Sequence, residues 1–384
     1  MPGIPDFVGG TAVIAAVLLF YTYIGYPILL AVLAMLRSRP RPNLGYTPSI
    51  SFLIAAYNEE AAIRQKLEQT LALEYPADKF EIVVVSDGSQ DRTEEIVESI
   101  KDPRVRLIRM KQRGGKTAAQ NEGVAHCKGE VVVFSDATAT YHSKALLYLA
   151  ANYADPKVGA VSGRYKYFDP DDSSPTGLGS VAFWNYENVI KLMQSRIATL
   201  TGCSGCIYSV RRSNYIPLWR DACSDLVEPL CIVKSGFRVQ FEDRALAYEE
   251  TTKNSTHEFR MRVRVATRGM RGLLSVPELL QPWRHPWLAF QLFSHKVLRW
   301  MVPILLLLIF AGTAVNWSIE VWRMAFLAQA LFYLFVLVSL FFPFHRRWRL
   351  LGLPLFFCTL NAAALVSMVK ILRGQKFTTW ETVR

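Results

Sequence analysis

The sequence predicts an α/β domain with a mostly parallel sheet, inserted between transmembrane helices. Two observations predict it. Short apolar, β-branched runs alternate with amphipathic helical stretches from Ser49 onward, and both ends of the chain hold long runs without a charged residue. The composition agrees: 51% of the 384 residues are hydrophobic and 20% charged, too few charges for a disordered chain or a coiled coil.

Taken in order, the first uncharged run, Phe7 to Leu36, exceeds the roughly 20 residues that cross a bilayer core, and we read 7–36 as a transmembrane helix. It is too long for a signal peptide, and Met1 to Asp6 lacks the basic start one needs. A cytoplasmic domain over 48–272 follows. In its first half, 48–155, Ser51–Ala55, Glu81–Val85, Val105–Ile108 and Glu130–Phe134 read as strands; Ala61–Leu73, Arg92–Ile100, Thr117–Cys127 and Lys144–Ala154 read as helices. Continuous apolar strands separated by helices imply a parallel sheet covered on both faces, with ligands at the strands' carboxyl ends. The second half, 156–272, mixes short strands with a helix near Gly179–Gln194. The aromatic and basic stretch 282–297, with Trp283, Trp287, His295 and Lys296, reads as an interfacial amphipathic helix. Three more uncharged runs, 300–319, 324–344 and 350–369, read as transmembrane helices, with Trp317, Trp322 and Trp348 at their edges.

The net charge of +12 lies beside these runs, which points to membrane lipids and away from nucleic acid. Arg37, Arg39 and Arg41 after the first run, and Arg346, Arg347 and Arg349 before the last, place the domain in the cytoplasm under the positive-inside tendency; Lys370, Arg373 and Lys376 fit that topology poorly. Cys203 and Cys206 form a CxxC, but Cys223 and Cys231 do not supply a second zinc pair, so Thr201–Cys206 reads as a tight turn of small residues facing substrate.

The strand ends carry the chemistry. Tyr57-Asn-Glu59 follows the first strand, Asp87-Gly-Ser89 the second and Ser135-Asp-Ala-Thr138 the fourth. One Asp-Gly is usually only a turn, but acids after three strands can meet around a phosphate-bound metal. Gly115-Lys-Thr117 is not a Walker loop, because Met110 stands where that loop needs glycine.

These segments, with Gly114-Gly-Lys-Thr-Ala-Ala-Gln-Asn121 between them, resemble in order the nucleotide-sugar half of family 2 glycosyltransferases, the GT-A fold shared with polysaccharide synthases of the cellulose, hyaluronan and poly-N-acetylglucosamine type. Ser224-Asp225, Gly236-Phe-Arg238 and Ala245–Glu249 resemble the acceptor half, and Arg262-Val-Arg264 with Arg268-Gly269 the arginine motif Gln-x-x-Arg-Trp. The resemblance covers roughly Ser49 to Gly272 and implies site roles residue by residue. Asp136 becomes the metal or diphosphate anchor for Mg²⁺ or Mn²⁺, Tyr57, Glu59 and Asp87 the uridine pocket, Lys116 a phosphate-side cation, and Arg264 with Arg268 the diphosphate clamp. Asp225 becomes the catalytic base; a helix N-cap is its alternative reading, and Glu228 and Glu242-Asp243 are competing carboxylates.

Three positions depart from the family pattern: Thr138 replaces the second acid of Asp-x-Asp, and Met261 and Val265 replace the Gln and Trp of the arginine motif. Asp169 and Asp171 also spell Asp-x-Asp, in a Pro- and Ser-rich stretch that reads as a solvated turn. Trp184 and Tyr186 are acceptor-side aromatic candidates or plain core.

The expected function is an inverting membrane glycosyltransferase of the bacterial inner membrane that extends a β-linked polysaccharide from a UDP-sugar, with a homo-oligomer or export partner providing a conduit. The alternatives are transfer of one sugar to a polyprenyl- or other lipid-linked acceptor, and a catalytically silent scaffold.

Overall fold

The computed structural model describes residues 4–38, 42–168, 177–250, 255–342 and 349–375. Asp169, Asp171, Arg39, Arg41, Arg346, Arg347, Trp348 and Lys376, each used above, lie outside the described residues. Strands β1 (Ile50–Ala56), β2 (Phe80–Ser86), β3 (Val105–Arg109) and β4 (Val131–Asp136) are the apolar runs of the first half. They are joined by β5 (Thr140–Tyr141), β6 (Val158–Phe168), β7 (Tyr208–Arg211) and β8 (Arg238–Glu250) in one sheet of order β3-β2-β1-β4-β7-β6-β8-β5. β1 pairs in parallel with β2 and β4, so Ala56 lies opposite Ser86 and Ala55 opposite Asp136. Three strands therefore end level along one edge. β7 is antiparallel to β4 and β6, while β6 runs parallel to β8 across a register shift at Gly163/Arg164.

Side chains alternate across a strand. Ile50, Phe52 and Ile54 enter one core with Ile82 and Val84, and Leu53 and Ala55 enter the opposite core with Val83 and Val85. Both faces are dry, which is why these strands carry no polar alternation.

A long apolar helix opens the chain as α1 (Ile4–Phe20) and α2 (Tyr26–Met35), joined by the π turn Tyr21–Gly25. Helices α3 (Ile63–Leu71), α4 (Thr93–Ser99), α5 (Lys116–His126) and α6 (Ala145–Ala151) lie between strands of the first half. Then come α7 (Gly177–Ile197), α8 (Ser224–Lys234), α9 (Ser255–Leu274), α10 (Pro286–Leu292), α11 (Leu298–Val315), α12 (Glu320–Phe341) and α13 (Gly352–Leu372). Among the described residues, four helices are long and apolar enough to cross a membrane: Phe7–Met35, Pro286–Val315, Glu320–Phe341 and Gly352–Leu372. α1 packs along α11, α2 against α7, and α13 against both α7 and α9, so the sheet domain is seated on the apolar helices.

The separate interfacial helix expected over 282–297 is not what forms. α10, the π turn Phe293–Val297 and α11 make one continuous helix from Pro286. Trp283 is exposed, but His295 turns into the protein: it is buried and meets Glu187 at 3.2 Å, which Arg299 also reaches.

Candidate active site

The level strand ends gather the first group of candidate residues. The loops after β1 and β2 are tied together: Asn58 donates from its backbone to Ser89 Oγ at 3.2 Å and accepts from Gln90 N at 2.8 Å, while Glu59 N donates to Thr93 Oγ1 at 2.7 Å. Tyr57 stands at this edge with the Arg113 guanidinium 3.7 Å from its ring centroid, and Glu59 is buried beside it. Asp87 is fully buried and accepts from the backbone N–H groups of Gly114 at 2.6 Å and Gly115 at 2.9 Å. Burial raises its carboxyl above the ordinary range despite those two donors. Gly115 has φ +90°, a conformation that favours glycine and turns the chain into α5 at Lys116.

Lys116 links these strand ends to the second half of the domain. Its Nζ is ion-paired with Asp136 and donates to the Gly205 carbonyl at 3.3 Å, and it lies within electrostatic reach of Asp225. Burial alone would lower this ammonium, but the Asp136 carboxylate overrides it and the group sits above its usual range. Asp225 lies beside Gly205 in turn: a Cβ built on Gly205 would stand 3.0 Å from Asp225 Oδ2. Contacts thus run without interruption from Asp87 through Gly114–Lys116 to Asp136, Gly205 and Asp225.

The N-cap of α8 is Cys223, with no side-chain cap, and Asp225 sits inside the first turn. The carboxylate is held instead by the Cys223 thiol, 3.1 Å from Oδ1, while its own carbonyl accepts from Cys203 N at 2.7 Å. Cys203 and Cys206 are buried in the two sheet cores and Ser204 is buried against Lys191, which leaves half-buried Gly205 as the residue of this turn that faces Lys116 and Asp225. The competing carboxylates are engaged elsewhere. Glu228 is fully buried against Ile216 N at 3.0 Å and pushed up to about 8 by burial, and Glu242 is bound by Arg244 at 2.8 Å.

The arginines divide their work. Arg268 donates to the Ala222 carbonyl and to Thr117 Oγ1 at 3.2 Å, next to Lys116, and Arg264 is half-buried one turn earlier on α9. Arg262 pairs with Glu258 at 2.7 Å under Phe183 and Phe356, a packing role. Val265 is exposed. Trp184 packs edge-on to Tyr165 with centroids 4.6 Å apart, and Tyr186 donates to the Tyr23 carbonyl at 3.1 Å.

Three residues near Lys116, namely Arg113, Lys66 and Lys191, escaped sequence reasoning, as did the pairing of Glu249 with Thr138. Arg113 directly precedes the Gly114–Asn121 segment. Lys66 is buried behind Asp136, donating to Ser135 Oγ at 2.7 Å and the Ala139 carbonyl at 2.5 Å, with burial pulling it down to about 7. Glu249 accepts from Thr138 Oγ1 at 2.9 Å and from Tyr165, and it feels Asp136. Lys191 is buried beside Ser204. Lys66 was findable, because Ile63, Lys66, Leu67 and Thr70 form one helical face and all are buried.

Residues 51–219 match the family model "Glycosyl transferase family 2". The chain is 30% identical over 239 residues to the probable glycosyltransferase YdaM of Bacillus subtilis, covering 59% of this chain and 56% of that protein. It is 27% identical over 246 residues to the poly-beta-1,6-N-acetyl-D-glucosamine synthase of Staphylococcus aureus, covering 62% of this chain and 59% of the synthase. The chain therefore spans less than three-fifths of the length of these curated relatives. A mannosyltransferase from Pyrobaculum calidifontis, solved with GDP-Man and Mn2+, superposes with a TM-score of 0.72 at 22% identity, covering 96% of this chain and 99% of that one. That likeness shows the GT-A fold.

Proposed function

Because residues 51–219 form a family 2 glycosyltransferase domain on a GT-A fold, we propose that the chain is an inverting membrane glycosyltransferase of the bacterial inner membrane. It takes a sugar from a UDP-sugar and extends a β-linked polysaccharide, with 48–155 as the cytoplasmic donor half and 156–272 as the acceptor half. The observation that carries this is Lys116, paired with Asp136 and within reach of Asp225. A nucleotide-sugar donor is further supported by the GDP-Man bound to the Pyrobaculum enzyme, and a polymer product by the name of the Staphylococcus synthase.

In this reading Tyr57, Glu59 and Asp87 form the uridine side, and Lys116, Arg264 and Arg268 face the diphosphate. The acceptor hydroxyl attacks the anomeric carbon from the face opposite the leaving group. Its proton passes to Asp225, the new C–O bond forms, the bond to the diphosphate breaks, and UDP leaves with the electron pair. Lys116 and the two arginines stabilise the charge that grows on the diphosphate.

A divalent ion fits the donor set. Asp136 and Glu249, whose charges act on one another, offer hard carboxylate oxygens, and the Thr138 hydroxyl donates to Glu249; Mg²⁺ or Mn²⁺ commonly takes one or two carboxylates and fills its shell with phosphate oxygens and water. When bound, such an ion would neutralise diphosphate charge. A UDP-release screen over purified nucleotide sugars, with Mg²⁺, Mn²⁺ or EDTA, tests the proposal: one or more UDP-sugars should turn over, and release from none of them would refute it.

A second reading is transfer of a single sugar to a lipid-linked acceptor, favoured by the packing of α7 and α9 of the sheet domain on the apolar helix α13. A radiolabelled UDP-sugar yielding only organic-extractable product would select it over the polymer.

A further inference from the structure

A lysine occupies an apolar position in the first half of the domain. Ile63, Lys66, Leu67 and Thr70 share the buried face of α3, and Lys66 is 4% exposed. Its Nζ lies 5.0 Å from the Phe52 ring centroid and 4.5 Å from that of Tyr141. Its hydrogen bonds go to neutral oxygens, Ser135 Oγ at 2.7 Å and the Ala139 carbonyl at 2.5 Å. Burying an ammonium against neutral partners is costly, and leucine or methionine would fill the same face without that cost. Packing alone therefore does not account for a lysine here.

What Lys66 grips is the turn that carries Asp136. β4 ends at Asp136 and β5 begins at Thr140, with Ala137, Thr138 and Ala139 between them. Lys66 holds both ends of this turn, at Ser135 directly before Asp136 and at Ala139 directly before β5. The grip reaches Asp136 itself, because Ser135 Oγ accepts from Lys66 and donates onward to the Asp136 carbonyl at 3.1 Å. The far side of the turn is fixed independently. Thr138 Oγ1 donates to Glu249 at 2.9 Å, and Thr140 pairs with Tyr248, the residue before Glu249. The backbone from Asp136 to Ala139 is thus set from α3 on one side and from β8 on the other. Nζ can donate to both oxygens with or without its third proton, so the grip does not depend on the charge of the amine.

We propose that Lys66 is a positioning residue for the divalent cation: it clamps the Ser135–Ala139 turn from behind and so holds the Asp136 carboxylate in place for Mg²⁺ or Mn²⁺. Lys66 itself touches neither the ion nor the nucleotide sugar. The inference rests on the metal-assisted transfer proposed above.

The test uses the purified full-length protein in detergent. Mn²⁺ binding is followed by the electron paramagnetic resonance signal of the free ion, with and without UDP; UDP affinity without metal is measured by calorimetry, and stability by a thermal melt. Lys66→Met should weaken Mn²⁺ binding about tenfold, as loss of a group that orients a metal ligand commonly does. Its metal-free UDP affinity should stay within about twofold of the parent. Its melting temperature should stay within about 4 °C, because relief of a buried charge offsets the bond lost at Ala139. Ser135→Ala keeps the ammonium and its bond to Ala139 but removes the link to Asp136, and should weaken Mn²⁺ about threefold. The double variant should bind Mn²⁺ no more weakly than Lys66→Met, since both act through one link. Parent-like Mn²⁺ affinity in both single variants would overturn the clamp. So would a collapsed melt in Lys66→Met with Ser135→Ala binding Mn²⁺ like the parent, which would show that the lysine only supports the fold. A parent protein that takes up no Mn²⁺ even with UDP would refute the metal reading and the clamp together, while its UDP affinity would still report separately on the nucleotide pocket.

Discussion

Substituting Gly205→Ala should impair transfer while leaving UDP affinity unchanged. The added Cβ would stand 3.0 Å from Asp225 Oδ2 and 3.3 Å from its Cγ, about 0.4 Å inside the ordinary contact limit of 3.4 Å. Gly205 is not among the glycines with positive φ, so alanine suits its backbone and the substitution carries no conformational penalty of its own. The loop cannot easily retreat, because Lys116 holds the Gly205 carbonyl at 3.3 Å and Cys203 N is bonded to the Asp225 carbonyl at 2.7 Å. The carboxylate is what must yield. A misplacement of this size at a reacting group costs about 10- to 100-fold in turnover, or roughly 1.4–2.8 kcal/mol of barrier. The assay pairs initial rates of UDP release with UDP affinity by calorimetry and a thermal melt in detergent. We expect kcat to fall by that factor with UDP affinity unchanged. Undiminished turnover would refute the assignment of Asp225 to the reacting hydroxyl, and a collapsed melt would show that the loop, not the carboxylate, gives way.

Other expectations follow from the same geometry. Glu228 is buried with Oε2 unpartnered and its carboxyl raised to about 8, so it binds a proton more tightly folded than unfolded and loses stability as pH rises from about 4.5 to 8. Glu228→Gln should therefore raise the melting temperature at pH 8, by a gain of up to about 5 kcal/mol, change little at pH 4, and keep turnover. A variant that melts like the parent at pH 8 would contradict this. Glu187 is held well below the usual carboxylate range, the pull of Arg299 and His295 exceeding the effect of burial; its contribution is present at neutral pH and is lost as pH falls below the ordinary glutamate range. Glu187→Gln should strand Arg299 and cost about 3–5 kcal/mol at pH 7, seen as a lower melting temperature. EDTA should cut UDP release at least roughly tenfold, with Mn²⁺ restoring it; full activity in the chelator would mean that Lys116 and the arginines suffice for the diphosphate.

The first half of the domain was legible because its physics is local. Parallel strands buried on both faces must be apolar runs, so β1, β2 and β4 stood out, and with them the residues at their ends. What the sequence hides is pairing over distance. Nothing in the stretch around Lys296 announces that Glu187, 108 residues before His295, collects the charges there, so an aromatic and basic segment reads as a separate lipid-facing helix when it is the start of a long one whose His295 turns inward. Asp225 read equally well as an N-cap, and only the placement of Cys223 at the cap separates the two. Glu249 gave no signal as a partner of Thr138, because β5 and β8 meet through an antiparallel pairing that no local pattern encodes.

The most direct measurement is UDP release and UDP binding by Asp225→Asn in the full-length protein. Asparagine keeps the shape and removes the proton acceptor, so turnover should fall by about 10²- to 10⁴-fold while UDP binds as before. Turnover at the parent rate would contradict the assignment of proton transfer to Asp225.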